Sequence, residues 1–437
     1  MILSRWNSKI WYDPFTLLRF MNWWTGMGAY RPSDKRDFWY SCSWISTAFI
    51  NLLQWLIIFN GNRIILDYIN EQFEDSPSLP FLVKVLLLIM FSNSLIALIF
   101  PVLMWLERKR IMECYNQIPI LDVKFRAIFG TKNQHGKQCI YLLCNILAIS
   151  IIAIISIGSE NHAAMLERLN ILEKTCVIVV LHRPILIMLL VDLNFCIFVG
   201  YLEKKFRDMN EGLLQMAKPK STNGFPGNVL PPFFRSVQKS RVGREMENDG
   251  PELSTNDYSY LLHEIRKAHL ELTKMSRKIN DAFGVQNLIS LSVSFGVITG
   301  MFYAFYIFSR LFSASSWSDY ASVFKSTPTF GIFSYLYTIL KINFACGAAV
   351  KESLRTGQII CEIMETTKLE EEIEEFSIQM IHNPVQFDAC GFFDLDYSFI
   401  QGVIGSITTY MVILIQMNPA PEFESRSSEN LANVTKA

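Results

Sequence analysis

Residues 81–105 read FLVKVLLLIMFSNSLIALIFPVLMW and contain a single charged side chain, that of Lys84. About 20 apolar residues in a helix cross the hydrocarbon core of a bilayer, which is about 30 Å thick, because each residue rises about 1.5 Å. This stretch therefore predicts a membrane-spanning helix. The whole chain of 437 residues has the same character, since 51% of it is hydrophobic and only 18% is charged, against about 25% in soluble domains. The surplus of apolar surface predicts an integral membrane protein.

Six further stretches have enough apolar length to span, although the first, sixth and seventh spans in chain order carry more polar residues than the others. We therefore predict an all-α membrane protein with seven transmembrane helices and cytoplasmic helical extensions. The predicted spans are residues 40–59, 81–105, 139–157, 175–201, 285–308, 330–349 and 398–417.

Lysine and arginine side chains near the spans predict the orientation, because moving a cation across the membrane is costly. They cluster before the first span, between the second and third spans, and just after the fourth and sixth spans, whereas the opposite loops carry few. This bias predicts an inverted topology, with the amino terminus inside the cell and the carboxyl terminus outside. Asn433 begins the sequon Asn433-Val434-Thr435, and its use as a glycosylation site would require an external tail.

The connection between the fourth and fifth spans changes character along its length. Residues 218–251 are rich in Gly, Pro, Ser and Asn and predict a loop, whereas apolar residues from Leu253 onward recur every three or four positions and predict an amphipathic helix that continues into the fifth span. An acidic run at 370–375 predicts a solvated helix face, with a cation-attracting vestibule as the alternative. The predicted organisation is a cytoplasmic segment at 1–39, transmembrane helices 1–4 at 40–201, a cytoplasmic loop and amphipathic helix at 202–284, transmembrane helices 5–6 at 285–349, a cytoplasmic helical anchor at 350–397, transmembrane helix 7 at 398–417 and an extracellular tail at 418–437.

A search for enzyme chemistry finds no motif that supports it. His263 and His269 flank a Glu as in a zinc protease motif, but they are six residues apart, and the motif needs four to place both rings on one helix face. The sequence contains no Walker loop, no paired CxxC and no GxSxG, and its net charge of +0 argues against a nucleic-acid partner. We therefore predict a protein that is not an enzyme and that needs neither a cofactor nor a metal.

The carboxyl-terminal part carries the most specific pattern. Residues 389–397 read ACGFFDLDY, and residues 409–417 read TYMVILIQM. Together they resemble the insect gustatory receptor family, which is related to insect odorant receptors and whose signature TYhhhhhQF, with h for an apolar residue, follows an ACG-type segment. Thr409, Tyr410 and Gln416 match the signature, and Met417 replaces its usual Phe. Residues 279–284 and 349–353 also look like family segments, more loosely.

The resemblance implies a tastant-gated, non-selective cation channel in the plasma membrane of sensory neurons, formed by a homo- or hetero-tetramer whose last helices surround one pore. Gly402, Ser406, Thr409, Ile413 and Gln416 follow one another at steps of four and three and give the last span a small or polar face. We predict that the last four line the pore, with Ile413 at a constriction and the Gln416 amides in a neutral polar ring. The alternative is that small residues only allow close helix packing and Gln416 makes one interhelical hydrogen bond.

The resemblance also places a ligand pocket in the outer half of each subunit, away from the pore. Arg183 is a candidate because an ionisable residue inside a span is costly and therefore suggests a site. Three further ionisable residues lie inside predicted spans, namely Lys84, Asp192 and Lys341. Of these, Lys84 lies near enough to the membrane surface for its ammonium to snorkel. Aromatic rings beside such groups would suit a small organic tastant, with simple packing as the alternative for each ring. The candidate ligand-binding residues are His182, Arg183, Tyr303, Tyr306, Phe333 and Tyr337.

The nature of the tastant stays open between a bitter compound, a sugar and another small cue. Met411 stands where receptors of the best-known sugar clade tend to carry an acidic residue, which disfavours that clade. Three other classes of membrane protein are alternatives to the channel. A G-protein-coupled seven-helix receptor would usually carry a DRY-like triplet and an NPxxY motif, and a membrane transporter would show paired repeats, but the sequence has none of these. The third alternative is a membrane scaffold. Apart from lipid and related subunits, a small tastant is the expected partner.

Overall fold

A computed structural model of the protein describes residues 14–28, 38–73, 80–130, 135–160, 169–217, 255–312, 318–366 and 370–417. Helices account for most of these residues. The described residues also contain an isolated antiparallel β-bridge between Asp388 and Asp394. We number the helices in chain order. They are α1 (Pro14–Trp24), α2 (Phe38–Phe73), α3 (Pro80–Leu106), α4 (Arg108–Phe129), α5 (His135–Glu160), α6 (Ile171–Ala217), α7 (Thr255–Phe312), α8 (Ser318–Thr366), α9 (Glu370–His382) and α10 (Tyr397–Met417).

Each predicted span falls within one of these helices, and the prediction of an all-α membrane protein is confirmed. Within the described residues, six helices are long and apolar enough to cross a membrane, namely α2, α3, α6, α7, α8 and α10. The predicted third span lies in α5, whose described apolar portion is the shorter segment Gln138–Ala148. The amphipathic helix and the fifth span form one continuous helix, α7, of 58 residues, as the periodicity predicts.

Helix α6 occupies the centre of the bundle. Every residue from Ile187 to Val199 is buried, and α6 packs against α2, α3, α5, α7 and α8. This all-round burial explains why the helix is apolar on every face rather than along one stripe. Asn194, a polar residue of this buried segment, is paired: its amide and that of Asn22 donate to each other at 3.0 and 2.9 Å, which fixes α1 against α6.

The amino-terminal helix α1 was predicted only as part of a cytoplasmic segment, but it is packed into the protein. Phe15 is 3% exposed, and its ring lies 5.4 Å from the Phe198 ring and 5.9 Å from the Tyr115 ring. Leu18 and Asn22 are fully buried. Residues 14–28 therefore belong to the folded core rather than to a tail.

Beyond the spans, α4, the first half of α7, the end of α8 and α9 form a second layer, which we call the anchor layer. Lys124 of α4 contacts Glu271 of α7 at 2.6 Å. A buried pair joins α4 to α6, where Lys205 Nζ lies 2.8 Å from Asp122 Oδ1 and the Tyr201 hydroxyl donates to the same oxygen at 3.0 Å. The first pair joins two helices of the anchor layer, and the second joins that layer to the end of α6, through charged side chains that a lipid-facing surface would not tolerate.

The acidic run of α9 is divided between solvent and α7. Glu371, Glu374 and Glu375 are exposed, and Glu375 also pairs with Arg266 of α7, whereas the half-buried Glu372 accepts a hydrogen bond from the Ser259 hydroxyl. That hydrogen bond holds the pKa of Glu372 below its usual value. The run therefore combines the predicted solvated face with two contacts that dock α9 on α7.

Candidate functional site

Helix α10, the predicted pore helix, begins at a well-formed cap. Oδ1 of Asp396 accepts hydrogen bonds from the Ser398 backbone N–H at 2.9 Å, the Phe399 backbone N–H at 3.1 Å and the Ser398 hydroxyl at 2.6 Å. An Asp before the first turn satisfies backbone donors that have no partner inside the helix. These hydrogen bonds, that from the Ser398 hydroxyl foremost, hold the pKa of Asp396 below its usual value.

The ACG segment that precedes α10 forms a tight hairpin. Cys390 and Gly391 have φ of 53° and 74°, and the Ala389 N–H donates to the Phe393 carbonyl at 3.0 Å. Two consecutive positive φ values are typical of a two-residue hairpin turn, and glycine adopts them without strain. The Gly391 N–H also donates to Asp388 Oδ1 at 2.6 Å. The family motif thus encodes a turn rather than a chemical site.

This hairpin is fixed to α7 by a reciprocal pair of hydrogen bonds. Asn280 Oδ1 accepts from the Asp388 backbone N–H at 3.0 Å, and Asn280 Nδ2 donates to Asp388 Oδ2 at 3.2 Å. One turn further along α7, a Cβ at Gly284 would lie 3.2 Å from the Cys390 Sγ. The segment at 279–284 and the ACG segment, both taken from the resemblance, therefore meet in space at the base of α10.

One face of α10 packs against its own subunit. Val403 is 8% exposed, Ile407 packs on the main core, and the Tyr410 ring meets the Phe295 ring of α7 edge-on at 5.8 Å. Leu414 and Met411 pack on a small cluster built around Tyr303 of α7. Val403, Ile407, Tyr410 and Leu414 form a bulky seam along α10 beside the predicted pore face. This seam holds α10 to its own subunit, with α7 as the main contact.

The predicted pore face points away from the subunit. Gly402, Thr409 and Gln416 are exposed, Ser406 is half-buried, and Ile413 is 41% exposed. The Thr409 hydroxyl donates to the Gly405 carbonyl at 3.0 Å within its own helix, and its oxygen lone pairs can still accept hydrogen bonds from water. A helix with one face docked and an adjacent small or polar face unpacked is suited to line an aqueous path shared with other copies.

Among the ligand candidates, Arg183 contacts the amino-terminal part of the chain. Its guanidinium donates to the Thr25 carbonyl at 3.2 Å and to the Gln54 side chain, and both His182 and Arg183 are half-buried. The Asn51 amide donates to the Gly26 carbonyl at 2.7 Å beside it. Arg183 therefore ties the turn after α1 to α2 and α6.

The four aromatic candidates lie in two other places. Tyr303 is 2% exposed, meets the Phe81 ring of α3 edge-on at 5.5 Å, and has Tyr306 packed beside it. Tyr337 of α8 is 41% exposed and donates a hydrogen bond to Asn145 of α5, and Phe333, one turn away, is 65% exposed. The six candidates are thus spread over three parts of the bundle.

Sequence reasoning missed a group of buried polar side chains between α6, α7 and α8. The single O–H of Ser290 is shared between Asp192 Oδ1 at 3.0 Å and Oδ2 at 3.2 Å, and Lys341 of α8 is only 7% exposed. Asp192 and Lys341 were noted as ionisable residues within spans, but the side chains around them were not. A signal was present in the spacing of Gln286, Asn287, Ser290 and Ser294 along one face of the fifth span.

Two further predictions concern glycosylation at Asn433 and metal binding. Asn433 lies outside the described residues, which end at 417. In the described stretches no three His, Cys, Asp or Glu side chains are grouped so that they could hold a metal ion.

Comparison with known proteins identifies gustatory receptors of Drosophila melanogaster as relatives. A segment of 184 residues is 29% identical to gustatory receptor 28b of Drosophila melanogaster and covers 40% of this chain and 37% of that protein. A segment of 174 residues is 27% identical to gustatory receptor for bitter taste 66a of the same organism and covers 37% of this chain and 31% of that protein. The matched segments thus span only about a third of each relative's own length.

A solved structure shares the whole fold. The insect olfactory receptor OR5 from Machilis hrabei superposes with a TM-score of 0.59 over 92% of this chain and 98% of its own, at 11% sequence identity. At that identity the likeness shows the fold alone. The sequence model described as 7tm chemosensory receptor matches residues 14–420. The resemblance to insect gustatory receptors is confirmed, and the chain belongs to the 7tm chemosensory receptor family.

Proposed function

We propose that this chain is a gustatory receptor subunit of a tastant-gated, non-selective cation channel, in which the α10 helices of four copies surround one pore. The observation that carries the proposal is the position of α10, whose bulky seam packs on α7 while most of its remaining surface, including the small and polar face, is left unpacked. A Gln side chain exposed to hydrocarbon would leave its amide without hydrogen-bond partners, which is costly. Water in a pore, or a neighbouring copy, provides those partners.

The predicted roles on this face follow from side-chain chemistry. Four Ile413 side chains would form an apolar constriction that excludes water when narrow, and four Gln416 amides one turn away would form an uncharged polar ring. An uncharged ring offers oxygen atoms to any small cation without a strong field, which is consistent with weak selectivity. Ser406 and Thr409 would line the wider part of the path.

The ligand is proposed to be a small organic tastant. The Machilis hrabei olfactory receptor has also been solved in complex with eugenol, with a TM-score of 0.56 to this chain, and one matched relative is named for bitter taste. These relatives support a small organic compound as the class, and a bitter compound as one candidate. Within this chain, His182, Arg183, Tyr303, Tyr306, Phe333 and Tyr337 are the proposed pocket residues.

The proposed setting is the plasma membrane of sensory neurons, with the amino terminus and the anchor layer inside the cell and the carboxyl terminus outside. The asymmetry of Lys and Arg supports this orientation. So do the ion pairs of the anchor layer, which suit an aqueous compartment on the side where those cations cluster.

Current recording in a non-sensory cell tests the proposal. Cells that express the chain, with G-protein signalling blocked, are exposed to a panel of bitter compounds and sugars. We expect fast cation currents that persist under the block, because the pore belongs to the receptor itself. Responses that disappear under the block would indicate a G-protein-coupled receptor instead, and single-molecule counting of one subunit per complex would exclude the shared pore.

A further inference from the structure

His269 of α7 lies in the interior of the anchor layer, between two aromatic rings. The Phe206 ring of α6 and the Phe376 ring of α9 each meet the imidazole edge-on with centroids 5.5 Å away, and both phenylalanines are fully buried. His269 itself is 2% exposed. In the part of the chain that the structure describes, neither of its ring nitrogens has a hydrogen-bond partner. The imidazole is therefore enclosed by hydrocarbon where three helices meet.

Such surroundings favour the neutral form of the imidazole. A protonated ring carries a charge and two N–H donors, and between the two phenylalanines it would have neither water nor an acceptor. Burial accordingly lowers the pKa of His269 to about 4. A histidine that is exposed to water has a pKa of about 6.5. Any movement that exposes this ring is therefore favoured by acid.

Helix α9 is the element that would expose His269 at the lowest cost. It has only 13 residues, and it packs on α7 and α8. Apart from the ion pair between Glu375 and Arg266, its contacts with α7 include a hydrogen bond from Gln379 Nε2 to the Arg266 carbonyl at 3.1 Å. A short helix held by a few contacts opens at a lower free energy than a central helix such as α6. The opening that uncovers His269 is thus the release of α9.

The charged groups near the three rings do not give the same response to acid. Those within four residues of the rings along their helices are Arg266, Lys267 and Glu271 of α7, Glu372, Glu374 and Glu375 of α9, and Glu203, Lys204, Lys205, Arg207 and Asp208 of α6. Lysine and arginine are already protonated at neutral pH, and exposed carboxyls titrate near about pH 4.3. The Ser259 hydroxyl holds the pKa of Glu372 below its usual value. Burial raises the pKa of Glu203 and Asp208, so acid favours the folded state at these two residues.

We propose that His269 is a proton-binding site through which acid on the side of the anchor layer releases α9 from α7. The ring takes up a proton from water when α9 moves away, and the charged ring then resists a return to its place between Phe206 and Phe376. Under the orientation proposed above, the effective stimulus is acidification of the cytoplasm, as a membrane-permeant weak acid produces. The release of α9 itself does not rest on the channel function.

The position of α9 in the chain gives this release a consequence. Residues 383–387 join α9 to the hairpin that Asn280 fixes to α7, and the hairpin leads directly into α10. When α9 leaves α7, one of the attachments that hold the base of α10 is lost. In the proposed channel, acid would therefore loosen the helix that lines the pore.

Amide hydrogen exchange of the full chain in lipid nanodiscs tests the proposal. Exchange is measured at about pH 7.5 and about pH 5.5, and each rate is divided by the intrinsic rate at that pH to give an opening constant. A pKa of about 4 with α9 docked and about 6.5 with α9 released predicts an opening constant for the α9 amides about tenfold larger at the lower pH. The amides of α6 from Ile187 to Val199 should change by less than about twofold, because this segment stays packed.

Variants of the histidines assign the effect to one residue. His269→Gln keeps a polar side chain that does not titrate, so its α9 opening constants should be the same at both pH values. His269→Leu, which suits a hydrocarbon site, takes its place if the glutamine variant does not fold. His263→Gln and His382→Gln remove the other histidines of α7 and α9 and should keep the tenfold dependence.

Three results would overturn the proposal. The first is an α9 opening constant that is the same at both pH values in the wild-type protein. The second is an acid dependence that persists in the His269 variants, and the third is an equal rise for α6, which would mean that acid loosens the whole bundle. A chain that carries no current should still release α9 in acid, so failure of the channel proposal has a different signature.

Discussion

Helices α6 and α10 are both apolar enough to span a membrane, and they have opposite surroundings. The most apolar window of α6 has a mean hydropathy of 2.3 and is 83% buried, whereas that of α10 has a mean hydropathy of 1.7 and is 6% buried. The polar side chains of α6, such as Asn194, are matched by partners from other helices, whereas the polar side chains of α10 face outward. Apolar composition therefore predicts that a helix leaves water, but it does not predict whether its neighbour is protein, lipid or another copy.

The difference in packing between α6 and α10 bears on how each helix can move. A central helix with buried, paired polar groups can move only if its partners move with it, so we expect α6 to be the less mobile of the two helices. A helix that is docked along one seam is able to tilt or rotate at a lower cost, because fewer packed contacts change. In the proposed channel, we expect the gating element to be a helix that is docked along one seam, such as α10.

The largest expected difference between the two helices is in stability. Ile187→Ala in α6 should lower the free energy of unfolding by about 2–5 kcal/mol, because Ile187 is 1% exposed and its truncation leaves a cavity. The same change at Ile404 of α10, which is 58% exposed, should have an effect below about 0.5 kcal/mol. Thermal denaturation of both variants in nanodiscs measures the difference. Equal losses of stability would show that α10 is as tightly packed as α6 in the assembled protein.

The contact that holds the base of α10 should give a smaller effect. Asn280→Ala removes both hydrogen bonds to Asp388 and should lower the free energy of unfolding by about 1–3 kcal/mol, since the Asp388 N–H loses its acceptor. Asn60→Ala is the control, because the exposed Asn60 amide donates only within its own helix, to the Leu56 carbonyl, in the hydrogen bonds described. If the two variants unfold at the same temperature, the hairpin is not held through Asn280.

The cap of α10 should contribute less again, and its contribution should depend on pH. Asp396→Ala should lower the free energy of unfolding by about 1 kcal/mol at neutral pH. The pKa of Asp396 is lower in the folded protein than the unfolded value of about 3.9, so the folded state binds the proton more weakly. The contribution is therefore complete above about pH 4 and is lost as the pH falls through the folded pKa.

Unfolding of the wild-type and Asp396→Ala proteins at about pH 7 and about pH 3 tests this dependence. The difference between them should shrink at the lower pH. Glu374→Ala, which removes an exposed carboxyl from α9, controls for general acid effects. A difference that stays constant with pH would mean that the Asp396 carboxylate does not cap the helix.

The smallest effect on stability, and a large one on conduction, is expected at the outward face of α10. Gln416→Ala should change single-channel conductance or relative cation permeability while surface expression and Tm stay the same, because the Gln416 side chain is exposed. Thr408→Ala, about 120° away from the predicted pore face, should leave permeation unchanged. Unaltered permeation in the Gln416 variant would remove this residue from the pore.

The sequence determined the elements and the family because both depend on local patterns. Long apolar runs predict spans through the thickness of a bilayer, the three-to-four-residue spacing after Leu253 predicts the continuous helix α7, and the segments at 389–397 and 409–417 carry the resemblance. The sequence did not predict that α4 is helical or that α1 is buried. Helix α1 is short and α4 is rich in charged residues, and neither pattern shows which surface the helix packs against. The acidic run of α9 likewise did not disclose which of its carboxylates contact α7.

Only the tertiary structure decided which helix is central, which face of α10 is docked, and which polar residues meet. Asn280 and Asp388 are 108 positions apart, and Asp192 and Ser290 are 98 positions apart, so no periodicity within one helix relates them. The Asp192–Ser290 contact arises because α6 and α7 pack together, and the Asn280–Asp388 contact arises because the hairpin before α10 packs on α7. A buried polar group needs a partner, but its identity is set by packing across the whole bundle, and for that reason the sequence alone does not specify it.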